Sequence, residues 1–438
     1  MFDTVISGGL LVSAHNGYRP FYGSIGVTDG KIELVTEKQL TAQDGREYID
    51  AAGRIVMPGL INAHCHGDMA AARGLGDGMT LAEQMKFFGE RGWFFSVLTP
   101  QDRYYARQQT YCEAMLSGTT TLVENMYWSL GENSVKAFAE TGLRGAPAED
   151  IRYDFMQSDA FLTQEMLDEL VRLCREKDCI PVLGTLPEEE FTDSRLKTAA
   201  KTVAMGGCGF TSHLSETPWR FQYAKEHFGQ SPVQVLRQYG LLNERYFGSH
   251  GVYLEEEDIE TLAQYRCSVV NTPLCELKIA DGLAPIRRLC DRGVNVALGT
   301  DGAMWNNSND IFREMKCMAL AHNLQKGTPA FTPREILDMA TINGAKALGI
   351  ERETGTLEPG KRADIILIDA EAPHMTPLHT GEKENITSAL VFCACGRDVT
   401  DVMIGGRLTV RDRKITTCNL RKIQEYVKDS SQRVRQTL

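Results

Sequence analysis

The hydrophobic pattern divides the chain into a long central part and two shorter flanks. From Pro58 to about Ile350, apolar runs alternate with stretches such as Pro100 to Met115, where apolar and charged residues recur at helical spacing. The apolar runs predict eight strands, at Leu60–Ala63, Thr119–Val123, Leu143–Pro147, Ile180–Gly184, Gly207–Ser212, Tyr246–Ser249, Ser268–Asn271 and Val294–Leu298. Eight strands with helices between them over roughly 290 residues match an α/β fold of the (β/α)8 TIM-barrel type. An open doubly wound sheet is the alternative, but no Gly-x-Gly-x-x-Gly motif follows an early strand.

Both flanks instead show the alternation and turn residues of β-hairpins. The pieces are Thr4–Val12, Ser24–Val27, Ile32–Val35, Ile365–Ile368, Val399–Ile404 and Leu408–Val410, with turns at Asp29-Gly30 and Gly405-Gly406. Two β-rich ends around a barrel predict one small composite β-sandwich built from both ends of the chain. The expected division is 1–57 and 355–438 for the sandwich and 58–354 for the barrel. The polar, helix-like stretch after Leu420 has no predicted role.

The strongest chemical signal is His64-Cys65-His66, which closes the apolar run Val56–Ala63. Residues two apart on a strand project from the same side, about 7 Å apart, so the two imidazoles can share one metal ion. A lone His-x-His is weak, but three later segments also close strand-like runs. They are His213-Leu214-Ser215-Glu216-Thr217, Ser249-His250-Gly251 and Gly299-Thr300-Asp301-Gly302. Three histidines and an aspartate, with a further His and Glu, suit a catalytic metal that keeps a position open for water.

The bulk composition limits the classes of binding partner and the cellular location that we expect. The net charge is -11 and no Lys/Arg cluster stands out, which argues against a nucleic-acid partner. The first residues lack a basic n-region and are broken by glycines, so neither a signal peptide nor a membrane span is expected there. Twelve cysteines without zinc-site spacing fit a reducing compartment, and the expected location is the cytoplasm.

These motifs together resemble the amidohydrolase superfamily, in particular the branch of S-adenosylhomocysteine/methylthioadenosine deaminases and triazine hydrolases. The resemblance rests on Pro58–His66, His213–Thr217 and Leu298–Gly302, with Gly355–Asp364 as a terminal signature. It implies a distorted barrel with a composite β-sandwich. It also implies a single divalent metal ion, because Ile180–Glu190 contains no lysine of the kind that the binuclear branch carboxylates. A homo-oligomer is the expected assembly.

The resemblance implies roles residue by residue. His64, His66, His213 and Asp301 become metal ligands. Asp301 also becomes the base, Glu216 the acid that protonates the substrate, and His250 the group that polarises the attacking oxygen. The residues alone leave other interpretations open: Asp301 could cap a helix, Glu216 could be a surface carboxylate and His250 a core histidine. Zinc is the expected metal, with iron or manganese as alternatives.

Other positions depart from the nucleoside deaminases. Gln101 and Leu186 stand where those enzymes carry polar groups, Cys275-Glu276-Leu277-Lys278 replaces Ser-Asn-Leu-Lys, and Trp305 follows Asp301. The expected substrate-binding residues are Trp93, Gln101, Glu188, Glu276 and Trp305, with the two glutamates at the mouths of loops. These departures predict a compact aminated ring or cyclic amidine over a nucleoside, with ammonia as product.

Three alternatives remain at this point. The same metal site could act on a nucleoside of the S-adenosylhomocysteine or methylthioadenosine type. It could also remove halide or alkylamine, or open a ring amide, because an activated water does not select the leaving group. A non-catalytic scaffold that kept the fold is the third alternative, against which the complete set of ligands argues.

Overall fold

The computed structural model describes residues 1–90, 97–125, 132–150, 161–184 and 187–438. Two of the residues singled out above, Trp93 and Leu186, lie outside these ranges. The strands, in chain order, are β1 Phe2–Leu11, β2 Phe21–Thr28, β3 Lys31–Thr36, β4 Gly45–Asp50, β5 Arg54–Pro58, β6 Leu60–Cys65, β7 Thr119–Asn125, β8 Arg144–Asp150, β9 Val182–Gly184, β10 Gly209–Leu214, β11 Tyr246–His250, β12 Ser268–Asn271, β13 Asn295–Leu298, β14 Ile365–Asp369, β15 Val399–Ile404, β16 Arg407–Arg411 and β17 Lys414–Ile415.

The helices lie mainly between the strands of the central part. They are α1 Leu81–Glu90, α2 Pro100–Leu116, α3 Glu132–Thr141, α4 Gln164–Glu176, α5 Asp193–Gly206, α6 Pro218–Phe228, α7 Pro232–Gln238, α8 Glu256–Gln264, α9 Pro273–Lys278, α10 Ile286–Asp291, α11 Ile311–Lys326, α12 Pro333–Ala340, α13 Ile342–Ala347, α14 Ile386–Phe392 and α15 Leu420–Thr437. A 3-10 helix, Gly67–Ala72, follows β6 directly.

Several helix starts are encoded locally by a hydroxyl N-cap followed by proline. Thr99, Thr217, Ser231 and Thr332 each accept a backbone hydrogen bond at the start of their helix. Thr217 directly follows Glu216, so the cap of α6 also fixes where the Glu216 backbone leaves β10.

Strands β6 to β13 form one parallel eight-stranded sheet in chain order, with helices packed outside it. This confirms the predicted (β/α)8 barrel. Its interior is filled by small and branched side chains, among them Ala63, Val123, Ala148 and Val270, all fully buried. The eight predicted strands agree with β6 to β13 within a few residues at each end.

The barrel closes between β6 and β13 by loop and side-chain bonds. The His64 carbonyl accepts hydrogen bonds from Thr300 N (3.0 Å) and Asp301 N (2.9 Å). Asn62 completes the closure, since its Oδ1 accepts from Thr300 N and its Nδ2 donates to Thr300 Oγ1. The pairing of β6 with β7 also shifts register twice. The barrel is therefore distorted at the strand that carries His64, and its closure holds Asp301 beside that histidine.

The second sheet combines β1 to β5 with β14 to β17, and therefore both ends of the chain. Its buried core contains Ile25, Val56, Ile365, Leu367 and Met403. The predicted composite β-element is confirmed. Three strands were not predicted: β4, whose residues are mostly polar, β5, which the sequence merges with β6 in one apolar run, and the two-residue β17. The structure separates β5 and β6 at Gly59, where a Cβ would lie 2.1 Å from Thr120 Oγ1.

Candidate active site

The histidines of the motifs meet at the carboxyl end of the barrel. His64 lies in β6, His213 in β10 and His250 in β11, and His66 follows β6. The ring centroid of His64 lies 5.1 Å from that of His66, 5.1 Å from that of His213 and 5.2 Å from that of His250. All four rings are buried. Parallel strands end at the same rim, so separation along the chain becomes proximity in space.

Four side chains at this rim suit a divalent metal ion, those of His64, His66, His213 and Asp301. His66 Nε2 lies 3.3 Å from His213 Nε2, and Asp301 Oδ1 lies 3.5 Å from His66 Nε2 and 3.8 Å from His64 Nε2. Buried polar atoms almost always have partners, yet His64 Nε2 has none among the described residues. Imidazole nitrogens with one carboxylate oxygen are donors that zinc, iron and manganese accept. The residues present therefore fit such an ion.

Side chains beside Nδ1 fix the orientation of the His64 ring. Its Nδ1 lies 2.7 Å from the Asn125 side-chain amide and 2.8 Å from Ser249 Oγ. The neighbouring Asn125 atom is Nδ2, so Ser249 Oγ is the acceptor for Nδ1–H. This donation leaves the Nε2 lone pair directed at the other histidines, the state a metal ligand requires. The desolvation of burial, then the nearby imidazoles, lower the pKa of His64 well below its usual value, which also favours the neutral ring.

Asp301 is held in an unusual backbone conformation. Its φ is +59°, and Ser215 and His250 also have positive φ, at +48° and +75°. Such conformations cost on the order of 1–3 kcal/mol for non-glycine residues and concentrate at functional sites. The buried thiol of Cys275 donates to Asp301 Oδ2 at 2.8 Å, which leaves Oδ1 facing the histidines. Cys275 thus does more than fill space in the core.

Glu216 lies at the same rim in an ion-pair network. Its Oε2 accepts a hydrogen bond from Arg220, whose guanidinium also binds Glu189 through both of its carboxylate oxygens. Glu216 Oε1 lies 3.9 Å from His250 Nε2. Burial raises the pKa of Glu216, while Arg220 opposes that rise. A raised pKa favours the protonated carboxyl, which is the form that a general acid uses.

His250 is supported by a chain of hydrogen bonds. Thr272 Oγ1 lies 2.9 Å from His250 Nδ1 and 3.2 Å from Glu276 Oε1. His250 Nε2 is buried and has no partner among the described residues. Burial lowers the pKa of His250 to about 4, so its ring is neutral at pH 7, and it raises the pKa of Glu276 to about 8.

The residues expected to bind substrate fall in different places. Trp305 lies beside the site, with its ring 5.3 Å from that of His66. Gln101 is exposed in the first turn of α2, and Trp93 lies outside the described residues. The expectation that Glu188 and Glu276 lie at loop mouths is wrong, because both are fully buried and bound within the protein. Glu188 accepts from Ser215 N at 2.5 Å, and Glu276 accepts from Asn271 and Thr272.

Three site residues escaped the sequence interpretation. Arg220 carried a usable signal, because a cation four residues after Glu216 on a helix is placed to pair with it. The contact of Cys275, in α9, with Asp301 joins residues 26 positions apart, and no local pattern predicts it. Asp281, in the loop after α9, is a buried carboxyl beside Glu216 and likewise had no signal.

The fold and the site define a (β/α)8-barrel enzyme with a histidine- and aspartate-lined metal site. A model of the amidohydrolase family matches residues 55–409, and the chain belongs to that family. A 5'-deoxyadenosine deaminase of Methanosarcina mazei is 33% identical over 94% of this chain and 93% of its own length. A 5-methylthioadenosine/S-adenosylhomocysteine deaminase of Pyrococcus furiosus is 34% identical over 91% of this chain and 93% of its own. The chain is a hydrolytic deaminase acting on C–N bonds other than peptide bonds.

Solved structures share the fold. A zinc-bound adenosine deaminase from Xanthomonas campestris has a TM-score of 0.89 at 24% identity, covering 99% of both chains. A zinc-complexed atrazine chlorohydrolase from Arthrobacter aurescens TC1 has a TM-score of 0.86 at 21% identity, covering 98% of this chain and 100% of its own. Within the described ranges, none of the helices combines the length and apolar character that a membrane crossing requires.

Proposed function

We propose that this enzyme deaminates a planar, amino-substituted nitrogen heterocycle by hydrolysis, converting a ring C–NH2 to C=O and releasing ammonia. The observation that carries the proposal is the meeting of Glu216 and His250 with four metal-binding side chains at one barrel rim. His64, His66, His213 and Asp301 would hold a divalent ion. Such an ion lowers the pKa of a bound water toward neutrality and so supplies a nucleophile at pH 7.

Asp301 acts as base during the attack. Its Oδ1 faces the histidines, while the Cys275 thiol holds Oδ2 in place. The carboxylate takes the proton that the attacking water loses. A thiol donor at Oδ2 keeps Asp301 from rotating, so the accepting oxygen stays where that proton is released.

Glu216 acts as acid. It gives a proton to the ring nitrogen beside the amino-bearing carbon, which makes that carbon electrophilic, and later helps to protonate departing ammonia. Arg220 and Glu189 hold the Glu216 carboxyl in position from the side away from His250.

His250 orients the attacking oxygen. The Thr272 hydroxyl donates to Glu276 Oε1, so its oxygen can accept a hydrogen bond from His250 Nδ1–H. His250 Nε2, which has no partner among the described residues, then serves as the acceptor that orients the attacking water.

For the substrate we keep a compact aminated ring or cyclic amidine as the first candidate. Its support is Trp305, whose ring packs against His66 beside the proposed metal site and narrows the space there. A nucleoside is the second candidate, favoured by the nucleoside-deaminase names of the relatives. Departure of halide or alkylamine is a further candidate, which the chlorohydrolase named among the similar structures keeps open.

The test is an ammonia-release assay on the metal-loaded enzyme. The panel contains free purine and pyrimidine bases, aminotriazines, a pterin and creatinine, beside adenosine, methylthioadenosine and S-adenosylhomocysteine. A higher kcat/KM for a free ring supports the first candidate, and a higher value for a nucleoside replaces it with the second. Release of other products without ammonia would overturn the deaminase proposal.

We further propose zinc as the native metal, since affinity order favours it over iron and manganese. Metal analysis of protein expressed without added metal tests this. We also propose a cytoplasmic homo-oligomer: all twelve cysteines are free, and Leu320 and Leu324 expose an apolar strip on α11. The division into 1–57, 58–354 and 355–438 belongs to the same proposal. Light scattering tests the oligomeric state, and limited proteolysis tests the division of the chain.

A further inference from the structure

Asp281 is an acidic residue of the site with an unpartnered carboxyl oxygen. It lies in the loop that connects α9 to α10, and its side chain is buried, at 4% exposure. Its Oδ2 is buried and has no hydrogen-bond partner among the described residues. Because buried polar atoms are almost always paired, this atom points to a ligand.

The backbone holds Asp281 rigidly beside Glu216. Its carbonyl oxygen accepts from the Tyr253 hydroxyl at 2.6 Å, and its N–H donates to the Glu276 carbonyl at 2.9 Å. The flanking residues Ala280 and Gly282 have φ of +61° and +133°. The carboxyl of Asp281 lies within hydrogen-bonding reach of the Glu216 carboxyl.

Two neighbouring carboxyls are already engaged, since Glu276 accepts from Asn271 and Thr272 and Glu216 pairs with Arg220. Glu188 accepts from Ser215 and, like Asp281, has one oxygen without a partner among the described residues. Asp281 differs from Glu188 because its carboxyl lies against that of Glu216, the proposed acid.

The protonation state of Asp281 determines whether its unpartnered oxygen donates or accepts a hydrogen bond. Burial, and then the charge of Glu216, raise the pKa of Asp281 to about 9, so the carboxyl is protonated at neutral pH. A protonated carboxyl has one O–H donor and keeps acceptor capacity on its other oxygen. With the O–H directed to Glu216, the other carboxyl oxygen remains an acceptor. It fits a substrate N–H.

We propose that Asp281 is a substrate-recognition residue that accepts a hydrogen bond from a second amino group of the substrate ring. This rests on the deaminase function proposed above. Glu216 contacts the ring nitrogen beside the carbon that is deaminated, and the adjacent Asp281 contacts the substituent on the other side of that nitrogen. The preferred substrate thus contains two amino-bearing carbons flanking one ring nitrogen, as in a diaminopurine, diaminopyrimidine or diaminotriazine.

The test uses matched pairs that differ in that one amino group. The pairs are adenine with 2,6-diaminopurine, each also as its riboside, and 4-aminopyrimidine with 2,4-diaminopyrimidine. For the zinc-loaded wild type, we expect the diamino member to be preferred about tenfold or more in kcat/KM, mainly through KM. Calorimetric Kd values for purine and 2-aminopurine give a readout that needs no turnover at the 6-position.

Three variants locate the effect. Asp281→Ala should bring the diamino preference close to one, whereas Asp281→Asn, which keeps a carbonyl acceptor, should retain most of it. Asp338→Asn, at a half-buried aspartate bonded to Tyr18, is the matched control and should leave the preference unchanged. Circular dichroism and zinc content confirm that each variant is folded and loaded.

The outcomes separate the two proposals. A wild type that deaminates these rings without a diamino preference, or a preference that survives in Asp281→Ala, would overturn the role of Asp281 alone. A zinc-loaded wild type that neither binds nor deaminates any member of the pairs or of the larger panel would overturn the deaminase proposal, and this inference with it.

Discussion

The rim of the barrel and the core of the terminal sheet are both built from buried strands. They differ in backbone conformation and in whether buried polar atoms have hydrogen-bond partners. At the rim, β11 ends in His250 with φ of +75°, Asp301 has φ of +59°, and the Nε2 atoms of His64 and His250 have no partner among the described residues. In the terminal sheet, Ile365 and Leu367 fill the core, and the positive φ of Asp29 lies in a hairpin turn.

This difference indicates that the terminal sheet core contributes mainly to stability and the rim mainly to activity. Positive φ at non-glycine residues and buried unpartnered polar atoms each cost on the order of 1–3 kcal/mol. At the rim these costs are concentrated in one cluster of side chains, and the buried apolar residues of the sheet and barrel offset them. Changes at the rim should therefore alter activity more than stability, and changes in the sheet core should do the reverse.

The largest effect should come from removing a proposed metal ligand. His213→Ala is expected to lose bound metal and to lower kcat/KM about 10⁴-fold or more, because the ion contributes several kcal/mol to the transition state. Metal analysis and ammonia release measure the two effects. His15→Ala, in the terminal part of the chain and paired with Glu358, is the control and should change neither. Stoichiometric metal in His213→Ala would contradict the proposed ligand set.

Next in size is the loss of the proposed acid. Glu216→Gln should reduce kcat about 10²- to 10⁴-fold while metal content and melting temperature stay near those of the wild type. The matched change Glu47→Gln, on an exposed glutamate of β4 paired with Arg411, should leave kcat unchanged. An active Glu216→Gln enzyme would rule out the acid role.

The sheet core should show the opposite pattern. Leu367→Ala, at a fully buried residue of β14, should lower the free energy of unfolding by about 2–5 kcal/mol. Urea denaturation measures this. The folded, metal-loaded fraction should keep its kcat/KM within about twofold, and Leu408→Ala at a half-buried position should cost less. A large loss of kcat/KM in folded Leu367→Ala would break the proposed separation.

His322 tests whether a buried, unpartnered histidine always belongs to the site. It lies on α11, its Nε2 has no partner among the described residues, and burial lowers its pKa to about 4. Since the folded pKa lies below the unfolded value, stability is present above about pH 6.5 and is lost as pH falls toward 4. Between pH 7 and pH 5, titration of His322 should lower the free energy of unfolding of the wild type by about 2 kcal/mol. The His322→Leu variant should lack this part of the loss. An unchanged pH dependence would refute this, and exposed His227→Leu is the control.

The smallest expected effect concerns the thiol behind Asp301. Cys275→Ala removes the donor to Oδ2 and should lower kcat about tenfold, whereas Cys275→Ser, which keeps a donor, should stay near wild type. Cys174→Ala, at a buried cysteine of α4, controls for the loss of a sulfur atom and should not change kcat. Equal losses in the Ala and Ser variants would show that packing, rather than the hydrogen bond, is what Asp301 needs.

The sequence by itself determined the barrel and the composition of its metal site. Apolar runs at regular intervals specify buried parallel strands, and His64, His66, His213, His250 and Asp301 all close such runs. The carboxyl ends of parallel strands share one rim, so local pattern was sufficient to predict that these residues converge. The helix starts at Thr217 and Thr332 were equally local, because N-caps and prolines act over three or four residues.

Only the tertiary structure decided which residues support the site and which face the substrate. Cys275 reaches Asp301 across 26 residues, and Asn62 bonds Thr300 across 238, contacts that no periodicity encodes. Glu276 and Asp281 are both acidic residues of the segment that follows β12. Burial with full hydrogen bonding makes the first a support for His250, whereas the second is buried against Glu216 with one oxygen unpartnered. Whether a polar group is satisfied depends on neighbours brought together by folding, and for that reason its role appears only there.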